Sequence, residues 1–269
     1  MDSAGTRPLA VVTGASSGIG RELAARFAED GFDLVVAAED ERIDSAARSF
    51  ADHEIQAVPV RADLATFEGV EELCRAIEAT GRAPDALAIN AGVGVGGDFA
   101  RDNELADELR LISLNITGAV HLAKRVLPQM VAAGRGGVLF TSSIAAVGPG
   151  PYHATYAASK AFLLSFAEAL RYELRDTGVT VTALMPGPTD TEFFDRAGMQ
   201  GTRLREKISK DDPAEVAREG FEALMAGKDH VVAGSMKNKA QAASGRVMPE
   251  AAKAAMQARQ TEPGGGQPG

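Results

Sequence analysis

The chain has 269 residues, which suits one hydrophobic core, and its 45% hydrophobic and 24% charged residues are ordinary for a globular protein in water. A net charge of -9 without a Lys/Arg run argues against nucleic-acid binding, and one cysteine with four scattered histidines gives no metal-ligand spacing, so we expect no metal. No segment approaches the roughly 18 apolar residues that cross a bilayer, and the first residues lack a secretory pattern, so we expect a cytoplasmic protein without membrane contact.

Short apolar or β-branched runs alternate along the chain with longer segments of helical period, which is typical of βαβ units. The predicted strands are 9–12, 34–38, 57–60, 86–89, 138–141, 179–184 and 230–233. The predicted helices are 19–30, 43–51, 67–80, 105–132, 155–176 and 214–226. Several strands are nearly continuous in apolar residues, which indicates parallel strands covered by helices on both faces.

The composition shows no shift that would mark a second domain, so we predict a single domain over residues 1–260. From residue 237 onward Ala, Lys and Gln dominate, and we expect one or two weakly amphipathic helical pieces over 237–260. The last nine residues, 261–269, read TEPGGGQPG and are predicted to be disordered.

A glycine-rich turn, TGASSGIG at 13–20, lies between the first predicted strand and helix. Gly14 permits a tight turn, Gly18 lets the backbone approach a pyrophosphate, and Gly20 permits close packing of the helix. The helix N-terminus adds unpaired N–H donors and a positive dipole end, so the segment predicts an anionic ligand rather than a mere surface turn. The ending Gly-Lys-Ser/Thr of the P-loop is absent, which disfavours ATP.

An acidic run follows the second predicted strand, where a dinucleotide site usually carries an acceptor for the adenosine ribose hydroxyls. Glu39 lies 19 positions beyond Gly20, and Asp40 and Glu41 follow it. These carboxylates would repel a 2′-phosphate, which favours NAD over NADP. Two alternatives stay open: the run is only a solvated loop, or Arg42 turns toward a phosphate and NADP binds.

A tyrosine and a lysine lie one helical turn apart in YAASK. Of the three tyrosines, only Tyr156 has a lysine four residues later, Lys160, so the two side chains share a helical face. A phenol with a pKa near ~10 transfers protons poorly at neutral pH, and we expect the ammonium to lower its pKa. Ser143, 13 residues earlier, ends a predicted strand and is well placed to hydrogen-bond the same substrate oxygen. The alternative is an exposed helical pair without chemistry.

Together these motifs resemble the short-chain dehydrogenase/reductase family over about residues 8–235. The matching positions are 13–20, Asp63-Leu64, Asn90-Ala91-Gly92, Asn115, Ser142-Ser143, YAASK at 156–160, and Pro186-Gly187 followed by Thr191. The resemblance implies an α/β fold: a Rossmann-like doubly wound parallel sheet of about seven strands flanked by helices, in a three-layer α/β/α sandwich. It also implies hydride transfer between NAD(P) and a ketone, aldehyde or secondary alcohol.

The resemblance implies a role for each matching residue. The catalytic residues would be Asn115, Ser143, Tyr156 and Lys160. Tyr156 would act as general acid or base, Ser143 would polarise the substrate oxygen, and Asn115 would hold a water of a proton relay. Cofactor-binding residues would be Gly14, Ser16, Ser17, Gly18, Ile19, Gly20, Glu39, Asp63, Leu64, Asn90, Ala91, Gly92, Tyr156, Lys160, Pro186, Gly187, Thr189 and Thr191.

The sequence departs from the family pattern at two places. The usual doubled asparagine is Ile89-Asn90, and the position of the usual NAD-type aspartate holds Ala38, with Glu39 one step later where NADP-preferring members often carry arginine. The second departure leaves the choice between NAD and NADP open.

The substrate region and the assembly are less defined. Residues 188–212 occupy the place of the family's substrate-covering lid. Candidates for an apolar pocket are Phe99, Val147, Phe193 and Phe194, with plain core as the alternative. His153 is a candidate for substrate contact, and an incidental position is the alternative. The long predicted helices ending near Ala132 and Asp176 resemble the helices that form two-fold interfaces in this family. The resemblance predicts a homodimer or homotetramer.

Two other functions are weighed against the oxidoreductase. A non-catalytic protein that senses a dinucleotide or binds a partner on the same fold would not need Asn115, Ser143, Tyr156 and Lys160 together. A sugar-nucleotide epimerase or dehydratase is disfavoured by the glycine spacing and by the lack of a sizeable C-terminal substrate domain.

Overall fold

The computed structural model of the protein describes residues 7–199, 201–206, 209–236, 238–240 and 249–262. Its strands are Leu9–Thr13 (β1), Asp33–Ala38 (β2), Ala57–Arg61 (β3), Ala86–Ile89 (β4), Gly136–Thr141 (β5), Val179–Pro186 (β6) and His230–Ala233 (β7). Its numbered helices are Gly18–Glu29 (α1), Arg42–Ala51 (α2), Phe67–Ala79 (α3), Leu105–Ile112 (α4), Ala119–Ala133 (α5), Ala154–Glu173 (α6), Phe193–Arg196 (α7), Arg203–Glu206 (α8), Pro213–Met225 (α9) and Glu250–Thr261 (α10).

The strands form one parallel sheet in the order β3-β2-β1-β4-β5-β6-β7. Alternate residues of β1 point to opposite faces: Val11 packs into a cluster with α3, α5 and α6, whereas Val12 packs into one with α1, α2 and α9. Each face is therefore covered by helices, and the predicted seven-stranded Rossmann-like sheet is confirmed. The strand order reverses between β1 and β4, and such a switch point opens a crevice at the carboxyl ends of the strands.

The predicted long helix over 105–132 is interrupted. A π-helix, Ser113–Gly118, separates α4 from α5. Inside it Asn115 is buried and bonded to the backbone of Val93. Six residues are too few for apolar periodicity to distinguish a π-helical turn from an α-helical one.

The C-terminal segment differs from its prediction at Thr261 and Glu262, and the Glu262 N–H donates to the Ala258 carbonyl at 2.8 Å. Thr261, which the sequence places in a disordered tail, is the last residue of α10, is 1% exposed, and donates a hydrogen bond of 2.8 Å to the Pro151 carbonyl. A threonine can satisfy its hydroxyl in this way where composition alone indicates a solvated end. Residues 241–248 and 263–269 lie outside the described residues.

We keep one domain over residues 1–260 as a proposal, supported by the single sheet. Within the described part of the chain no helix is long and apolar enough to span a bilayer. The cytoplasmic location stays a prediction.

Candidate active site

A cleft opens at the carboxyl ends of the strands and gathers most of the residues that the sequence singles out. The predicted residues that line it are Gly14, Ser16, Ser17, Gly18, Ile19, Glu39, Asp63, Leu64, Asn90, Ala91, Gly92, Ser143, Tyr156, Lys160, Pro186, Gly187, Thr189 and Thr191. Gly20 and Asn115 do not line the cleft themselves. Gly20 packs against the Gly14 carbonyl, and Asn115 hydrogen-bonds Val93, and both of these neighbours line the cleft. The loops after six neighbouring strands, β1 to β6, therefore meet at one edge of the sheet, as parallel topology requires.

The glycine turn has the backbone geometry that its sequence predicts. Gly14 and Gly18 adopt φ of +68° and +54°, in the left-handed region that favours glycine. A Cβ on Gly14 would lie 3.0 Å from the Ala91 Cα, and a Cβ on Gly20 would collide with the Gly14 carbonyl oxygen. The turn thus leaves a cradle free of side chains at the N-terminus of α1, which fits a pyrophosphate.

Threonine and asparagine side chains tie the ends of three strands together. The backbone N–H groups of Asn90 and Ala91 donate to Thr13 Oγ1 at 2.9 and 3.0 Å. The Asn90 amide donates to the Thr13 carbonyl at 3.1 Å, and Thr141 Oγ1 donates to Asn90 Oδ1 at 3.1 Å. Asn90 therefore holds the cleft edge of β1, β4 and β5. The sequence analysis missed Thr13 and Thr141, although Thr13 opens the glycine motif.

Two carboxylates of the acidic run form ion pairs with two different arginines. Asp40 accepts from Ser16 Oγ at 2.9 Å and pairs with Arg42 at 3.0 Å, and hydrogen bonding to Arg42 keeps the pKa of Asp40 below its ordinary value. The Arg42 guanidinium also pairs with Glu192 at 3.0 Å, across the mouth of the cleft. Asp40, rather than Glu39, thus touches the glycine turn.

The second arginine is Arg110, which the sequence analysis missed. It pairs with Glu39 and, at 2.9 Å, with Asp63. Burial alone would raise the pKa of Asp63, but hydrogen bonds from Arg110 and from the Ala65 N–H outweigh it and lower that pKa. Arg110 lies on α4, far along the chain from both carboxylates, so no local sequence signal indicates this contact.

Tyr156, Lys160 and Ser143 come together at the other end of the cleft. Tyr156 and Lys160 lie on α6, and the Lys160 Nζ is 5.7 Å from the centre of the Tyr156 ring. Lys160 Nζ donates to the Thr141 carbonyl at 2.9 Å, which fixes its position. The Ser143 hydroxyl, just past β5, hydrogen-bonds the Tyr156 side chain.

The sequence analysis predicts a lowered pKa for Tyr156, and for the protein by itself this prediction is wrong. Burial raises the pKa of Tyr156 to about 12, and only the hydrogen bond with Ser143 opposes the rise. The same burial lowers the pKa of Lys160 to about 8. Loss of hydration governs both shifts, because the phenolate and the ammonium would each be charged in the same enclosed place.

Asn115 supports the site from behind. Its Oδ1 accepts from the Val93 N–H at 2.9 Å, and its Nδ2 donates to the Val93 carbonyl at 2.9 Å and to Ser159 Oγ at 3.0 Å. A Cβ on Gly92 would lie 3.1 Å from Asn115 Oδ1 and 3.2 Å from Lys160 Nζ, so glycine keeps this space open. The amide of Asn115 therefore positions the loop after β4 over the cleft.

The predicted lid contributes aromatic side chains to the cleft. Phe193 lies 5.1 Å from the Tyr156 ring, between ring centres, and Phe194 packs with Ala197, Met199 and Leu204. Phe99 is instead 61% exposed. Neither Phe99 nor Val147 is among the described residues that line the cleft, so the pocket interpretation holds for Phe193 and Phe194 alone.

Two lining residues come from a segment to which the sequence analysis gave no role. Gln257 and Gln260 of α10 face the same cleft. Among the residues that the structure describes, no group of three or more His, Cys, Asp or Glu side chains is arranged to hold a metal ion.

The fold and the glycine cradle together define a dinucleotide-binding protein of the Rossmann class. The short chain dehydrogenase family profile matches residues 8–201. Sulfoacetaldehyde reductase 2 of Chromohalobacter salexigens is 35% identical over 190 residues, 69% of this chain and 74% of that protein. The chain belongs to the short-chain dehydrogenase/reductase family and is an NAD(P)-dependent oxidoreductase.

Solved structures show the same relationship. A short-chain dehydrogenase from Sphingobium yanoikuyae in complex with NADPH has a TM-score of 0.76 and 30% identity, covering 84% of this chain and 87% of that chain. A family member from Burkholderia phymatum in complex with NAD has a TM-score of 0.77 and 25% identity, covering 90% and 92%. Proteins similar to this chain therefore bind either cofactor.

Gly20→Ala is expected to abolish dinucleotide binding, because the added methyl group must displace the Gly14 carbonyl and with it the cradle. Titration of NADH fluorescence measures the loss. Gly220→Ala is the matched control: Gly220 is also helical, but its Cβ would meet only the flexible side chains of Leu184 and Leu139. Equal affinity in the two variants would contradict the role assigned to the turn.

Proposed function

We propose that this chain transfers a hydride between a nicotinamide cofactor and the carbonyl carbon of a ketone or aldehyde, or the corresponding alcohol carbon, with Tyr156 as the general acid and base. The observation that carries the proposal is the meeting of Tyr156, Ser143 and Lys160 in the cleft that also contains the glycine cradle. A bound reduced nicotinamide supplies the hydride, and its oxidised form adds a positive charge that favours the phenolate.

The residues of the chain transfer the proton, position the substrate oxygen and bind the cofactor. The Tyr156 hydroxyl gives its proton to the carbonyl oxygen during reduction and takes it back during oxidation. Ser143, which hydrogen-bonds Tyr156, holds the same oxygen within reach. Lys160, fixed by the Thr141 carbonyl, extends toward the open space at Gly92 and binds the ribose next to the nicotinamide. Asn115 is a positioning residue, since its amide is occupied by Val93 and Ser159.

The raised pKa has a directional consequence. With a pKa near 12, Tyr156 is protonated at neutral pH in the protein by itself, so it is ready to act as an acid toward a carbonyl. Release of the proton, which alcohol oxidation requires, becomes easier as the pH rises toward that value. We therefore propose that reduction is favoured near neutral pH and oxidation in alkaline solution.

Tyr156→Phe should lower kcat by at least about 100-fold, the lower range for general acid–base catalysis, while dinucleotide affinity stays the same. The assay follows NADH and NADPH oxidation with a panel of ketones and aldehydes. Tyr172→Phe is the control, because Tyr172 lies on the same helix and is 70% exposed.

The outcomes separate the two functional hypotheses. Normal turnover by Tyr156→Phe would show that another group donates the proton. A wild-type protein that binds NADH tightly yet reduces nothing in a broad panel would be a dinucleotide sensor on this fold.

We further propose that NAD is the preferred cofactor. The support is Asp40, whose carboxylate lies between Ser16 of the glycine turn and Arg42. A negative charge in that place repels a 2′-phosphate and occupies the two groups that would otherwise bind it. Glu39 adds negative charge nearby, although its own partner is Arg110.

Asp40→Ser should raise the ratio of kcat/KM for NADPH to that for NADH by about tenfold or more, because it frees Ser16 and Arg42 for the phosphate and removes a like charge. Steady-state kinetics with both cofactors measures the ratio. Glu41→Ser removes the same charge one residue away, on an exposed side chain, and is the control. A wild-type preference for NADPH would refute the proposal.

For the assembly we propose a homodimer or homotetramer through α4 and α6. Leu105, Leu109 and Ile112 are exposed at helical spacing on α4, and Phe162 is exposed on α6, which α4 contacts. Apolar side chains at this spacing form one stripe that a second copy would cover.

Leu109→Glu should shift the protein toward the monomer, because a carboxylate in an apolar interface loses hydration without a partner. Sedimentation velocity at one protein concentration measures the shift. Met225→Glu on α9 is the matched control, since Leu109 and Met225 are each 52% exposed. A wild-type protein that sediments as a monomer would disprove the proposed assembly.

A further inference from the structure

The segment that follows β6 runs from the proposed proton donor to the glycine cradle. Ser143 Oγ lies 3.5 Å from the Pro186 carbonyl oxygen, so the segment begins at the catalytic end of the cleft. At its other end a Cβ on Gly18 would lie 3.0 Å from Thr191 Cγ2. A dinucleotide with its pyrophosphate in the cradle and its nicotinamide at the catalytic end therefore lies along this segment, with the nicotinamide half beside Gly187, which lines the cleft.

Asn238 lies behind Gly187. It is 6% exposed and is not among the lining residues of the cleft. A Cβ on Gly187 would collide with the Asn238 amide, so the amide packs directly against the Gly187 backbone. The Asn238 N–H donates to the Ser235 carbonyl at 3.0 Å, and Lys239 pairs with Glu219 of α9 at 3.2 Å. These contacts hold the backbone in place without help from the Asn238 side chain.

The Asn238 amide is oriented by Asp211, near the end of the predicted lid, residues 188–212. Asn238 Nδ2 donates to Asp211 Oδ2 at 2.5 Å, and Asp211 Oδ1 accepts from the Ser235 N–H at 3.1 Å. A Cβ on Gly234 would collide with this carboxylate, so a glycine is needed where the carboxylate enters. Because a carboxylate only accepts hydrogen bonds, the NH2 group of the amide must face it.

The backbone of Asp211 closes the base of the lid. Its N–H donates to the Pro188 carbonyl at 2.8 Å, and its carbonyl accepts from the Asp190 N–H at 2.9 Å. The two ends of the lid therefore lie side by side, joined at Thr189, which lines the cleft. One residue thus connects the start of the lid, its end and the amide behind Gly187.

We propose that Asn238 is a positioning residue for the nicotinamide half of the cofactor: together with Asp211 it holds Gly187 and the base of the lid against that half. The inference rests on the proposed function only in placing the nicotinamide at the catalytic end of the cleft. Asn238 acts through the Gly187 backbone and does not contact the cofactor. The rest of the dinucleotide lies toward the glycine turn, where Arg42 and Arg110 form the ion pairs, so its binding does not depend on Asn238.

The test compares the affinity for NAD with that for ADP-ribose, which lacks the nicotinamide, by isothermal titration calorimetry. Asn238→Leu nearly keeps the shape of the side chain but cannot donate to Asp211. We expect NAD to bind about tenfold more weakly, the effect of one hydrogen bond to a charged group, and ADP-ribose to stay within about threefold of the wild type. If NADP proves to be the preferred cofactor, NADP and 2′-phospho-ADP-ribose take the place of this pair.

Asn103→Leu is the matched control. Asn103 Nδ2 donates to a carboxylate oxygen of Glu108 at 2.7 Å, and a Cβ on Gly97 would lie 2.5 Å from Asn103 Oδ1. The side chain thus makes the same two kinds of contact, but it is not among the residues that line the cleft. We expect both affinities to stay at the wild-type values in this variant.

Asn238→Asp gives a second readout, because it replaces the amide by a carboxyl group of the same size. In acid the new carboxylate and Asp211 share one proton, which keeps the hydrogen bond between them, whereas in alkaline solution both are charged and repel each other. The NAD affinity of this variant relative to the wild type should be close to one at about pH 6 and about tenfold lower at about pH 9. A side chain that only fills space behind Gly187 would show no such dependence.

The outcomes are distinct from those that test carbonyl reduction, since only binding is measured. If Asn238→Leu weakens NAD and ADP-ribose alike, or weakens neither, Asn238 does not position the nicotinamide half. If Asn238→Leu does not fold, Asn238→Asp decides, and an equal relative affinity at both pH values overturns the inference. A wild type that binds NAD no better than ADP-ribose overturns it as well. A wild type that shows the expected binding but reduces no carbonyl refutes the proposed function and leaves the role of Asn238 standing.

Discussion

The shape of the cleft depends on hydrogen bonds that join three strands where they reach it. Thr13 at the end of β1 accepts from the backbone of Asn90 and Ala91, and Asn90 in turn accepts from Thr141 at the end of β5. Backbone pairing joins β1 to β4 and β4 to β5, and these side-chain bonds extend the connection to the ends of the strands, where the loops begin. With these bonds the glycine cradle, the open space at Gly92 and the position of Lys160 belong to one rigid edge, because the Thr141 carbonyl also holds the lysine.

Burial is the second constraint, and it acts on the chemistry in a way that charge alone does not reveal. The cleft places an ammonium, a phenol and an imidazole within a few side chains of one another, and each is shifted toward its neutral form: the pKa of Tyr156 rises, and those of Lys160 and His153 fall. A site of this kind polarises uncharged groups with fixed donors and acceptors and does not rely on strong ion pairs. The ion pairs of the cleft lie instead at the end that contains the glycine turn, around Arg42 and Arg110.

Sequence patterns predicted the parts of the molecule that depend on local geometry. The alternation of apolar runs with helical segments gave the seven strands, and the glycines at 13–20 gave the turn, because a left-handed backbone at Gly14 and Gly18 needs residues without a Cβ. What escaped prediction depends on contacts between distant segments. Nothing near Arg110 indicates that it meets Glu39, and nothing in Gln257 indicates that α10 folds back onto the cleft. The direction of the Tyr156 shift also escaped, since hydration is a property of the whole enclosure.

The hydrogen bond between Thr261 and Pro151 fixes the end of α10 and so affects where another protein can be fused to the chain. The amino end of the described chain enters the sheet at β1, where Arg82 holds the Arg7 carbonyl at 2.8 Å, and this is the edge opposite the cleft. The last described residue, Glu262, follows α10, whose Gln257 and Gln260 line the cleft. A purification handle or fluorescent fusion joined after Glu262 would start close to the cleft, whereas one joined before Arg7 would start at the other end of the strands.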